Sequence, residues 1–180
     1  ARPSSFFGAG CVGHVAFGHP VSPGLMDRLE EAAKAEDIPH VRGGTYVCME
    51  GPQFSTLAES RWYKSAGFDV IGMTNMPEAK LAREAEIPYA TVAMVTDYDC
   101  WHPDHDHVDV KAVIKVVHDN ADKARRLVAR FAGDFPLDHP ACPIGSDRSL
   151  DFALMTAHDK RDPALLAKLD AVAGRVLRVR

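Results

Sequence analysis

Residues 68–96 read FDVIGMTNMPEAKLAREAEIPYATVAMVT, and three elements follow one another in them. Phe68-Asp69-Val70-Ile71-Gly72-Met73 is a compact apolar run of the length and composition that predict a strand. A short helix is predicted over 77–86. Pro77 stands at its start, where a missing N–H leaves no hydrogen bond unmade. Tyr89 to Thr96 is a longer apolar run, bounded by Pro88 before it and Asp97 after it. It does not alternate between polar and apolar residues, so it reads as a strand covered on both faces. Strand, helix, strand in this order is a βαβ unit.

The pattern extends both ways. Upstream, residues 23–36 read as a helix with Pro23 in its first turn and Leu25, Leu29, Ala32 and Ala33 on one face. Thr45 to Met49 is a short β-rich run after Gly43-Gly44, broken by Gly51-Pro52. Thr56-Leu57-Ala58-Glu59 is a capping-box pattern opening a helix through Ala66, with Gly67 as its stop. Downstream, apolar residues from Val110 to Phe131 recur at helical spacing, giving the longest helix over 108–131. Residues 132–147 are rich in Gly, Pro and Asp and read as loop. Two further helices are predicted, over 149–158 and 163–177. The expected fold is α/β, a mainly parallel twisted sheet flanked by helices. It forms one domain over 1–180, with 148–180 as a C-terminal helical extension. In such folds ligands bind at the carboxyl ends of strands, which marks the positions after Met49, Met73 and Thr96.

Composition narrows the function classes. The 180 residues are 46% hydrophobic and 26% charged, with a formal net charge of −4. That is a globular profile without the basic balance of a nucleic-acid binder. No apolar run is long enough to cross a bilayer, no signal peptide opens the chain, and no membrane partner is expected. Cys11, Cys48, Cys100 and Cys142 form no CxxC pair and read as free thiols of a reducing, cytoplasmic setting.

Three short stretches carry candidate chemistry. In Gly51-Pro52-Gln53-Phe54-Ser55, Phe54 is left beside a helix N-terminus, where a ring can stack on a flat heterocycle and Ser55 can hydrogen-bond its edge. Phe54 as core and Ser55 as a helix cap is the alternative. In Gly72-Met73-Thr74, Met73 is soft and apolar, suited to pack under a sugar ring, and Thr74 precedes a helix start, where an anion is favoured. The alternative is an ordinary strand end and turn. In Thr96-Asp97-Tyr98-Asp99, two carboxylates follow a strand end, where an acid can carry a proton or bond a ring nitrogen. Two solvated loop acids are the alternative.

Taken jointly, G-P-Q-F-S-x-x-A-E, then G-M-T-x-x-P-E, then T-D-Y-D-C-W resemble, in order and spacing, the trimeric type of the purine nucleoside phosphorylase family. EGPQFSTLAES, MTNMPEAKLAREAEIPYATVAMVTDYDCW and the opening CVGHVAFGHP are similar to the methylthioadenosine phosphorylases in particular. The resemblance runs from about Phe6 to Phe131 and is loose beyond. It implies a nucleoside phosphorylase-like fold and phosphorolysis of S-methyl-5′-thioadenosine to adenine and 5-methylthioribose 1-phosphate, in purine and methionine salvage. Phe54 would stack on the purine and Ser55 would bond its edge. Asp97 would stabilise the leaving base near N7, and Asp99 would accept from the exocyclic amine. Met73 would lie against the ribose and Thr74 would contact phosphate. Val110 and Val113 would line the pocket for the 5′-methylthio group, and His14 would reach the 5′ end from a neighbouring subunit of a homotrimer. Inorganic phosphate would be the co-substrate, with no cofactor and no metal. A Ser at 55 and an acid at 97 favour a 6-aminopurine, because a 6-oxo group would face a repelling anion.

The chain departs from that pattern in two places. Animal-type methylthioadenosine phosphorylases tend to carry Asn where this chain has Gly72. There it resembles the general purine phosphorylases, and methylthioinosine and other purine nucleosides stay open as substrates. The family's phosphate-binding Gly/Ser loop and Arg-His loop have no counterpart in residues 1–180. The chain is therefore expected to be the C-terminal part of the fold, incomplete at the N-terminal side, and an inactive nucleoside-binding fragment is the non-enzyme alternative. Cys100 to His107 is rich in His and Asp, but the spacing is irregular and lacks a helical i, i+4 pair. It reads as a solvated loop, with a metal-binding regulator as the weaker alternative.

Overall fold

The protein is described from a computed structural model, which covers residues 2–102 and 110–178. The chain divides into two compact units. One contains Ala1–Met26, Thr74–Thr91 and Asp138–Arg180, the other Asp27–Met73 and Val92–Leu137.

Helix α1 spans Pro23–Ala35, α2 Leu57–Ser65, α3 Asn75–Glu84, α4 Val110–Asp134 and α5 Pro163–Leu177. Strand β1 is Tyr46–Cys48 and β2 is Val70–Gly72. The two strands are parallel, with Tyr46 opposite Val70, Val47 opposite Ile71 and Cys48 opposite Gly72. The Met49 N–H extends the ladder to the Gly72 carbonyl at 2.9 Å. Parallel pairing needs a crossover between the strands, and α2 lies in that crossover in sequence.

The α2 start is fixed by its own first turn. Thr56 is the N-cap, its hydroxyl accepting from the Glu59 N–H at 3.3 Å while a Glu59 carboxylate oxygen accepts from the Thr56 N–H at 2.7 Å. The reciprocal pair satisfies two donors that the helix leaves orphaned. Thr56→Ala is expected to lower stability by about 1 kcal/mol in a urea titration, with Thr56→Ser close to wild type.

In the unit that contains α5, Phe7, Cys11, Leu150, Ala153, Leu169 and Ala173 form the core. Burial of Leu150 and Leu169 contributes roughly 1.5–3 kcal/mol each. The segment from Val12 to His14 pairs with residues 153–156. The His14 N–H donates to the Ala153 carbonyl, Met155 N–H to Val12 carbonyl, and Val12 N–H to the Thr156 hydroxyl. Those pairings correct the expected helix over 149–158. Its backbone groups are taken by a distant segment, and only a 3-10 turn at Ser146–Arg148 and another at His158–Lys160 form there. Tertiary hydrogen bonding overrides the local helical pattern.

A charged hub closes the same unit. Arg175 on α5 donates to Glu86 at 2.7 Å and to Asp151 at 2.5 Å, and Glu86 also accepts from the Leu150 N–H at 3.0 Å. The Arg175 guanidinium holds the Glu86 carboxyl below its ordinary value, and it does the same at Asp151. Both groups have lowered folded values, so their contribution is complete above the unfolded-state values and is lost as pH falls through the folded ones. Arg175→Met is expected to cost about 1–2 kcal/mol at pH 7, since the pair is partly exposed. The gap from wild type should narrow at pH 3, as read from urea midpoints.

In the other unit, Ala32 and Ala33 of α1 pack on Leu127 of α4, with Ile38 and Phe131 against them. Glu36 accepts from Arg126 and Arg130 of α4 at 3.3 and 3.2 Å. The 89–96 run is not a strand. Val92, Met94 and Val95 are exposed, and among the described residues the run has no ladder partner. A strand exists only where a neighbour takes its backbone groups. Here Asn120 on α4 takes the Val95 carbonyl at 2.9 Å, and Tyr89 and Thr91 both donate to Asn75.

Candidate functional site

Three of the candidate residues are placed by one short neighbourhood. The turn after β1 carries Gly51, Phe54 and Ser55. Gly51 has φ +69°, and a Cβ on it would stand 2.8 Å from the Met73 sulfur. The left-handed turn and the close approach together require glycine, and they seat the Met73 thioether against the turn. Phe54 is 84% exposed, so it is not core, and its ring faces are open to a planar ligand. Ser55 is not the helix cap, because Thr56 takes that role. The Ser55 hydroxyl lies 3.5 Å from the Met49 sulfur.

The acidic segment is tied to this turn and to α2. Asp99 accepts from the buried Ser60 hydroxyl of α2 at 2.6 Å and from the Cys100 N–H at 2.8 Å. The Cys100 thiol reaches the Ser55 carbonyl at 3.8 Å, and the Lys64 ammonium sits 3.1 Å from the Trp101 ring centroid. Asp97 is exposed and accepts from the Thr96 hydroxyl at 2.6 Å. Each carboxylate oxygen has a second lone pair, so Asp97 and Asp99 keep acceptor capacity for a ligand amine. Phe54, Ser55, Met73, Asp97 and Asp99 thus belong to one unit.

Thr74 and His14 belong to the other unit. Thr74 is the N-cap of α3, but its hydroxyl makes no capping hydrogen bond and stays exposed. A free hydroxyl beside a helix start suits an anion. His14 borders a cleft of about 240 Å³ with Phe17, Lys80 and Glu84. Val110 opens α4, and the side chains of Val110 and Val113 lie outside the described residues, as do residues 103–109. Among the described residues, no cluster of three His, Cys, Asp or Glu side chains is arranged for a metal, and no helix is long and apolar enough to cross a membrane.

Residues 1–133 match the family model described as the phosphorylase superfamily. The chain belongs to that superfamily. It is 71% identical over 177 residues to the S-methyl-5′-thioadenosine phosphorylase of Bradyrhizobium diazoefficiens, taking in 98% of this chain and 61% of that protein. Among solved structures it is similar to a methylthioadenosine phosphorylase sourced from an antarctic soil metagenomic library. That match has a TM-score of 0.86 and 42% identity, over 95% of this chain and 60% of the other. It also resembles the methylthioadenosine phosphorylase of Schistosoma mansoni in complex with adenine, with a TM-score of 0.67 and 30% identity over 73% and 53% of the two chains. The chain spans about 60% of the length of the curated relatives it matches. The fold is α/β and nucleoside phosphorylase-like.

Sequence reading missed two residues of this phosphorylase-superfamily chain. Ser60 is buried inside α2 and anchors Asp99, yet nothing near it in sequence marks it as more than a helical serine. Tyr46 lies within β1, where an aromatic residue reads simply as strand-forming.

Proposed function

We propose that the protein containing this chain catalyses phosphorolysis of S-methyl-5′-thioadenosine, releasing adenine and 5-methylthioribose 1-phosphate. What supports this most is the set Phe54, Ser55, Asp97 and Asp99 in one unit, which combines an exposed aromatic ring with two acceptor carboxylates. Relatives at up to 71% identity bear that enzyme's name.

In this reading a phosphate oxygen attacks C1′ as the C1′–N9 bond breaks, and the bonding electron pair leaves with the purine. Phe54 stacks on the purine and Ser55 bonds its edge. Asp97 bonds the base at N7 as charge develops there, as a general acid or a preorganised partner. Asp99 accepts from the exocyclic amine. Met73 lies against the ribose, Val110 and Val113 line the methylthio pocket, and His14 reaches the 5′ end. Thr74 contacts phosphate. The protein's work is positioning and electrostatic stabilisation of the departing base, with no protein nucleophile, metal or organic cofactor. We place the enzyme in the cytoplasm as a homotrimer with sites at subunit interfaces.

The test is release of adenine from methylthioadenosine by the purified protein, followed with and without inorganic phosphate. Phosphate-dependent release is expected. Adenine binding with no turnover at any phosphate concentration would replace the enzyme by a nucleoside-binding module, and faster turnover of methylthioinosine would replace the substrate.

A further inference from the structure

Tyr46 belongs to β1, and its side chain crosses the β1–β2 pair diagonally. A Cβ built on Gly72 would stand 1.8 Å from the Tyr46 hydroxyl oxygen and 2.8 Å from the ring carbon bearing it. The phenol therefore occupies the place of a side chain at 72, at the carboxyl end of β2 and next to Met73. Tyr46 is half-buried, and no described residue hydrogen-bonds to its hydroxyl. Gly72 without a Cβ leaves backbone there, and the phenol is the polar group beside it.

The hydrogen-bond inventory of the proposed base site is unbalanced. Adenine presents an amine donor and the ring-nitrogen acceptors N1, N3 and N7. Asp99, when ionised, only accepts, Asp97 as the general acid serves N7 alone, and Ser55 supplies a single hydroxyl donor, so N1 and N3 together are short of a donor. A site that leaves ring nitrogens unmatched on desolvation loses affinity for each of them. A phenol is a good donor to such a nitrogen.

We propose that Tyr46 is a further base-contacting residue, its hydroxyl donating to a ring nitrogen of the purine at the Gly72 edge. The inference rests on the proposed base site and extends it to a second strand. Calorimetric titration of the protein with adenine, 1-deazaadenine and 3-deazaadenine tests it, using wild type, Tyr46→Phe and, in parallel, Phe54→Ala. Tyr46→Phe should keep the wild-type melting temperature and bind adenine about tenfold more weakly. Wild type should lose a similar factor on one of the two deaza analogues, and Tyr46→Phe should add no loss on that analogue. Equal weakening on all three ligands would make Tyr46 merely structural and overturn the proposal. Unchanged adenine binding by Tyr46→Phe, with Phe54→Ala weakened, would overturn Tyr46 alone. Unchanged binding by Phe54→Ala would overturn the base site, and the Tyr46 contact with it.

Discussion

Asp97→Asn is expected to lower kcat for methylthioadenosine by about 10²–10⁴-fold, the range set by loss of a positioned proton donor or charge-bearing partner. Asn keeps the shape of the side chain and one carbonyl acceptor, so binding and fold should change little. Asp97 is exposed and its described tie is to the adjacent Thr96 hydroxyl, so no packed neighbour depends on the carboxylate. What Asn cannot do is give up a proton or answer the charge that develops on the leaving purine. It can, however, donate through its amide to a 6-oxo group, which the carboxylate would repel. The ratio of kcat/KM for 6-oxo over 6-amino nucleosides should therefore rise in the variant. Steady-state kinetics on methylthioadenosine and methylthioinosine measure both effects. Turnover of methylthioadenosine at the wild-type rate by Asp97→Asn would remove Asp97 from the reaction.

The contrast between what local sequence did and did not reveal has a physical basis. The capping box at Thr56 and Glu59 is complete within four consecutive residues, so the α2 start was legible. The α5 start is similar, because Asp162 accepts from the Ala164 N–H and Pro163 stands in the first turn. The parallel pairing of β1 and β2 was implied by the strand–helix–strand order and was observed. The run from Tyr89 to Thr96 and the segment 149–158 failed for one shared reason. Their apolar content is genuine, but the backbone partners that decide strand or helix come from elsewhere in the chain, such as Val12 for Met155. The same limit applies at the candidate site. The motifs named Phe54, Asp97 and Asp99, whereas Ser60, which holds Asp99 in place, shows no signal until the fold brings it there.

The pairing of Tyr46 with Gly72 yields the second large effect. Gly72 is not in the left-handed region, so its backbone would accept alanine, and in a strand alanine is intrinsically the better residue by about 0.5–1 kcal/mol. The obstacle is Tyr46 alone, whose hydroxyl oxygen and ring carbon lie 1.8 and 2.8 Å from the new methyl position. Neither distance is tolerable, and a phenol within a hydrogen-bonded strand pair moves only by repacking. Gly72→Ala is thus expected to cost about 3 kcal/mol, at the upper end of overpacking penalties. Tyr46→Phe on top should relieve little, because the ring carbon at 2.8 Å remains. Tyr46→Ala should relieve most of it, so that Gly72→Ala costs less than about 1 kcal/mol on that background, a coupling that a double-mutant cycle in urea isolates. Additive effects of Gly72→Ala and Tyr46→Ala would show that the two positions do not compete for the same space. The cycle also bears on substrate choice. An Asn at 72, as the animal-type pattern carries, could not coexist with Tyr46 as placed here, so one polar group at the end of β2 excludes the other.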